Sequence, residues 1–241
     1  MVNVRIVAND ALTSTAADFI AAQAQNAIAE RGRFTIALSG GGTPKPVYEL
    51  MATEPYRTRI DWQRVEVFFG DERCVPPESP DSNWHMARTA FGDRLPIQDT
   101  NWHRMRGEDL PDNAASDYEA ILASRLGSEG LDLVLLGLGD NGHTASLFPG
   151  LAAVTETAKR VMAQYVEVAG MWRLTLTPVA INAARCVLFL VGGANKSVMV
   201  ARVLEGPPDP VVLPSQAIAP ANGELHWLVD TAAGSRLKSG T

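Results

Sequence analysis

One stretch of this sequence places a histidine among closely spaced glycines: Gly137-Leu-Gly-Asp-Asn-Gly-His143-Thr-Ala-Ser146-Leu-Phe-Pro-Gly150, directly after the apolar run Leu131–Leu136. Histidine exchanges a proton near neutral pH and is the commonest general base. On a glycine-rich loop at the end of a strand it stands where an α/β protein holds its ligand. Ser39-Gly40-Gly41-Gly42-Thr43 follows another apolar run, Phe34–Leu38, and precedes Pro44. Its glycines would let the backbone approach an anion, which the N–H groups and a helix dipole would favour. They would serve a tight strand-to-helix turn equally well. The motif is neither the dinucleotide GxGxxG fingerprint nor a P-loop. A third group, Gly70-Asp71-Glu72-Arg73, ends the run Val65–Phe69 and leads through Val75-Pro-Pro to Asp81-Ser-Asn83 at the start of a helix. Two carboxylates and a guanidinium there fit acid–base chemistry, anion binding or a solvated ion-pair cluster, and spacing leaves these open.

Other candidates carry less. His85 falls on a helix, His103 in a loop beside Trp102 and His226 inside a strand, where structural or solvated roles are expected. Ser146 lacks the G-x-S-x-G elbow of a serine nucleophile, so a water activated by His143 is the simpler chemistry.

These loops need a scaffold, and the pattern supplies one. Asn3–Ala8 reads as a strand. Ala16, Phe19, Ile20, Ala24, Ala27 and Ile28 then recur at helical spacing up to Gly32. Phe34–Leu38 is a strand, and Pro44 opens a helix through Met51. Further strands are expected at Val65–Phe69, Leu131–Leu136, Arg173–Thr177, Val187–Val191 and Leu225–Val229, with a helix from Lys196 to Leu204. Strands alternating with helices predict an α/β fold: a doubly wound, mostly parallel sheet flanked by helices, a Rossmann-like three-layer sandwich. No repeat or linker-like composition divides the chain, so residues 1–241 are expected to form one domain. The terminal Gly-Ser-Arg-Leu-Lys-Ser-Gly-Thr (234–241) is expected to fray.

A formal net charge of −6 argues against nucleic acid or an anionic membrane as partner. It leaves room for a small anion held by local cations. The N-terminal segment has neither the profile of a signal peptide nor a long apolar run, and a cytoplasmic location is expected. Cys74 and Cys186 lack metal-type spacing, so neither a disulfide nor a zinc site is expected.

Taken together, Leu38–Met51, Phe68–Trp84, Gly137–Gly150, the segment Arg173-Leu-Thr-Leu-Thr-Pro178 and Val191-Gly-Gly-Ala-Asn-Lys196 resemble, in that order, the 6-phosphogluconolactonase family, relatives of the glucosamine-6-phosphate deaminases. The segment His143–Gly150 is the most specific of these. The resemblance implies hydrolysis of 6-phospho-D-glucono-1,5-lactone to 6-phosphogluconate in the oxidative pentose phosphate pathway. His143 would be the base, and Ser39, Gly40, Gly41, Thr43, Asp71, Arg73, Arg173 and Lys196 would surround the phosphorylated substrate. It implies no metal or cofactor, and a monomer or weak homo-oligomer. Arg173 opens its expected strand, so it reaches the carboxyl edge of the parallel strands only if that strand runs antiparallel to them. The family's Asp-Gly-His is Asn141-Gly142-His143 here. Asn141 can accept a hydrogen bond but carries no charge, leaving a weaker base unless Asp140 or Asp71 substitutes. The alternative reading is a sugar-phosphate isomerase or deaminase in which Asp71 or Glu72 shuttles protons. A non-catalytic sugar-phosphate sensor would need a DNA-binding appendage, of which the sequence shows no sign.

Overall fold

The computed structural model describes residues 2–238. Six strands, β1 (Val2–Val7), β2 (Phe34–Leu38), β3 (Val65–Phe69), β5 (Leu133–Leu136), β8 (Cys186–Val191) and β9 (Glu224–Asp230), form one parallel sheet in the order β1-β9-β8-β5-β2-β3. Three more, β4 (Asp71–Arg73), β6 (Val161–Val166) and β7 (Met171–Leu176), form an antiparallel sheet in the order β4-β7-β6. The helices are α1 (Leu12–Arg31), α2 (Lys45–Met51), α3 (Tyr56–Arg59), α4 (Asn83–Ala90), α5 (Pro111–Leu126), α6 (Pro178–Asn182) and α7 (Ser197–Glu205).

The central strands are apolar on both faces, as parallel strands between two layers must be. One face, with Phe34, Ile36, Leu38, Leu133 and Leu188, packs on α1, α2 and α4. In α1, Ala16, Ala17, Ala21, Ala24 and Ala27 are buried, and their small side chains let the helix lie close to the sheet. Gly32 ends it in the left-handed region (φ 76°), where its N–H reaches the Ile28 carbonyl at 2.9 Å. The other face, with Ala37, Phe68, Val134, Phe189 and Trp227, packs on α5 and α7 and also on Leu174, Leu176 and Val161 of the second sheet. The expected three-layer sandwich is therefore present, with part of one outer layer made of strands rather than helices.

The chain passes between the sheets at Gly70. Its N–H donates to Leu38 of β2 at 2.9 Å, continuing the parallel ladder, and its carbonyl accepts from Leu176 of β7 at 2.8 Å. Residues 71–73, read from sequence as a loop, thus become β4 by pairing with β7. The terminal segment is also more ordered than expected: Leu237 packs against the core, and its N–H reaches Gly234 at 3.0 Å. Residues 239–241 of the expected frayed tail lie outside the described residues. No helix of the described residues is long and apolar enough to cross a membrane.

Candidate active site

The carboxyl ends of β2, β3, β5 and β8 open on one pocket of about 560 Å³. All nine residues expected at the site line it: Ser39, Gly40, Gly41, Thr43, Asp71, Arg73, His143, Arg173 and Lys196. Buried tyrosines fix the ends of the two strands nearest the glycine loop. The Tyr48 hydroxyl accepts from the Ser39 N–H (3.1 Å) and donates to the Ser39 carbonyl (2.9 Å). Tyr118 does the same at Phe69, accepting at 2.8 Å and donating at 3.3 Å. Burial holds both phenols protonated by pushing them well above the usual tyrosine range.

His143 is half-buried on the loop after β5. Its Nδ1 lies 2.6 Å from Asn141 Oδ1, and the same oxygen accepts from the His143 backbone N–H at 3.2 Å. An atom that accepts from a backbone N–H is the amide oxygen, so Nδ1 carries the proton and Nε2 holds the lone pair. Of the three groups that sequence left open as orienters, Asn141 makes this contact; Asp140 pairs instead with Lys196. The ring stacks on Phe148 with centroids 4.2 Å apart and planes 18° off parallel. Gly139 backs the ring so closely that a Cβ there would stand 2.0 Å from Nδ1. Burial moves the imidazole below the ordinary histidine range, with Asp71 opposing and Lys196 and Arg173 adding to it.

The loop is anchored by Ser146, fully buried and outside the pocket lining. Its hydroxyl donates to Asp71 Oδ2 at 2.7 Å, and its N–H donates to Thr175 Oγ1 at 3.1 Å. This holds the histidine loop to the second sheet, a positional task rather than a nucleophilic one. Asn83 donates to Asp71 Oδ1 at 3.1 Å from the other side.

Arg73 and Arg173 face one another directly across the β4–β7 ladder. That ladder is antiparallel but belongs to the second sheet: β7 pairs with β4 and β6 and with none of the parallel strands, so Arg173 comes to the pocket from outside the main sheet rather than by running antiparallel within it. Like charges opposite each other are unfavourable, and burial and the Arg73 charge lower the affinity of Arg173 for its proton. The Nε atoms of both arginines and the Oδ1 of Asn83 are buried with no partner among the described residues. The expected helix-dipole contribution behind Ser39–Thr43 is small, since α2 has seven residues. Positive potential comes chiefly from Arg73, Arg173 and Lys196.

Glu72 does not belong to this pocket. Its carboxylate accepts from the N–H groups of Arg73, Asn83 and Trp84 and from the Ser82 hydroxyl. Together with Ser82, whose side chain accepts from the His85 N–H, it satisfies the first turn of α4. Burial raises its affinity for a proton, and the backbone donors oppose that. His103 likewise contacts Glu66 at 2.9 Å, and His226 contacts Glu224 at 2.7 Å. Asn83, Gly139 and Phe148 line the pocket as well; they stand inside the motifs read from sequence but were given no place at the site. Only the capping serine before Asn83 and the glycine spacing before His143 hinted at them.

A half-buried imidazole, a glycine loop and three cations gather at the carboxyl edge of a parallel sheet, where α/β proteins of this kind hold their ligands. A model of the family described as glucosamine-6-phosphate isomerases/6-phosphogluconolactonase matches residues 8–227, and the chain belongs to that family. It is 43% identical over 233 residues to a 6-phosphogluconolactonase of Nostoc sp., covering 94% of each chain. It is 44% identical over 218 residues to one from Synechocystis sp., covering 88% of each. The solved 6-phosphogluconolactonase from Trypanosoma cruzi superposes with a TM-score of 0.88 at 28% identity, covering 99% of this chain and 97% of that one.

Proposed function

We propose that this protein hydrolyses 6-phospho-D-glucono-1,5-lactone to 6-phosphogluconate, with His143 as general base toward water. The observation that carries the reading is the imidazole itself: Nδ1 is tied to Asn141, which leaves the basic Nε2 for a water, in a pocket rimmed by Arg73, Arg173 and Lys196. A lactone carbonyl is an activated ester, so the site needs to position a water, remove its proton and stabilise the oxyanion. Nε2 takes the water proton as oxygen attacks the carbonyl carbon. The tetrahedral intermediate then collapses with cleavage of the ring C–O bond. The imidazolium returns its proton to the departing ring oxygen, giving a hydroxyl and a carboxylic acid that ionises to water.

Arg73 and Arg173 are assigned to the phosphate. A dianion between them would relieve their mutual repulsion and reach their unpartnered Nε groups. Lys196, paired with Asp140, and the Ser39–Thr43 loop complete the substrate wall. The engagement of Glu72 at α4 removes one proton shuttle from the isomerase or deaminase alternative, leaving Asp71.

The test is stopped-flow hydrolysis of freshly generated phosphorylated lactone, measured above the spontaneous background and against the unphosphorylated lactone. Rapid, phosphate-dependent hydrolysis is expected, falling ~10²–10⁴-fold in turnover for His143→Ala. Arg73→Ala and Arg173→Ala should chiefly raise KM. No acceleration by the wild type, with ammonia released from glucosamine 6-phosphate, would establish the deaminase reading instead.

A further inference from the structure

At the amino edge of the main sheet, on the side away from the pocket, strand register assembles three donor atoms that sequence spacing keeps apart. Cys186 opposes Glu224 and Leu188 opposes His226 in the β8–β9 ladder. Glu224 and His226 are two residues apart on one strand, so all three side chains share a face. The Cys186 Sγ, a Glu224 carboxylate oxygen and a His226 ring nitrogen lie within 4.8 Å of one another.

We propose that Cys186, Glu224 and His226 bind one zinc-class divalent cation, with water completing a tetrahedral shell. Zn²⁺ bonds of about 2.3 Å to sulfur and about 2.0 Å to nitrogen and oxygen place tetrahedral donors roughly 3.3–3.6 Å apart. The donor separations, 2.7 Å for His226 and Glu224 and at most 4.8 Å for the others, bracket that spacing, which side-chain rotation would have to set. The ladder fixes the two backbones, and the Phe19 ring packs edge-on against His226 with centroids 5.0 Å apart. His226 Nε2 and Glu224 Oε2 are hydrogen-bonded at 2.7 Å through one proton. The cation would displace that proton and bond to both atoms. A groove of about 550 Å³ lined by Asn3, Thr15 and Phe19 also reaches His226, one of the three donors.

Charge balance selects a dication. One thiolate and one carboxylate are neutralised together by a charge of +2. Binding must release protons, so affinity rises with pH. Mixed thiolate, imidazole and carboxylate donors suit Zn²⁺ and Co²⁺ over Mg²⁺ or Ca²⁺.

The test is titration of the chelator-stripped full chain with Co²⁺, reading the thiolate-to-cobalt charge-transfer band and the intense visible bands of a tetrahedral centre. One equivalent per chain is expected, displaced by Zn²⁺ and bound more tightly as pH rises. Cys186→Ser and His226→Gln should abolish the band, and Cys74→Ser should keep it. His226 is only partly buried, so His226→Gln still tests the site if Cys186→Ser fails to fold. Absence of a thiolate band in the wild type, its survival in His226→Gln, or its loss in folded Cys74→Ser would overturn the proposal. Lactone hydrolysis is not the readout, so failure here leaves the proposed activity untouched.

Discussion

Because burial holds His143 below the ordinary histidine range, its neutral form persists to lower pH than a solvated imidazole's. If it is the base, the rate should be flat through neutrality and fall on the acid side with a midpoint below about 6.5, the unperturbed value. Asn141 is the lever on this profile. Asn141→Asp would place a carboxylate against Nδ1–H, stabilise the imidazolium and move the acid limb to higher pH. Background-corrected kcat/KM against pH for both proteins checks the sign, and a variant limb at or below that of the wild type would contradict the assignment. His143 was legible from sequence because residue type and loop position agreed. Asn141 was one of three candidate orienters, since Asp140, Asn141 and Asp71 differ only in where the folded loop points them. Arg173 was not legible from pattern at all: at the start of an expected strand, it reaches the pocket because that strand pairs with β4 in the second sheet.

The loop after β5 works by close approach as much as by hydrogen bonding. A methyl at Gly139 would sit 2.0 Å from the imidazole, a clash the ring can escape only by swinging away from Phe148. Gly139→Ala should therefore keep the fold, checked by an unchanged unfolding midpoint, while lowering kcat on the order of 10²-fold, as misplacement of a reacting group by about an ångström does. Activity near that of the wild type would show that the ring position is not critical. Strands β2 and β3 were readable to the residue because apolar runs ended at glycine or polar loops. By contrast, β4 is the polar triplet Asp71-Glu72-Arg73, a strand only because β7 pairs with it. Likewise β6, with its mixed burial, offers no clean alternation to read.

At the scale of the whole molecule, the amino edge of the sheet is stitched by Asp132. Its carboxylate accepts from the Thr35 N–H (2.8 Å), the Thr35 hydroxyl (3.0 Å) and Arg31 Nε (3.0 Å), joining the start of β5 to β2 and α1. Asp132→Ala would leave the buried Thr35 donors without their acceptor and should cost about 1–3 kcal/mol in denaturant unfolding. Turnover per folded molecule should be unchanged, because the pocket lies at the opposite edge. The two apolar clusters lie on either face of the same strands, so residues 1–241 are expected to unfold in a single transition, as one domain would. Alternating strands and helices made the parallel sheet legible, whereas the second sheet depends on long-range pairing that no local pattern records. The facing arginines of β4 and β7 also bear on how the protein should be handled. On the proposed assignment of this pair to the phosphate, two guanidinium groups held opposite one another would also take other tetrahedral oxyanions, so sulfate or phosphate in a buffer would be a competing ligand. Such salts should raise the melting temperature and the apparent KM together, and the choice of counter-ion would then set both the apparent robustness of a preparation and its apparent affinity.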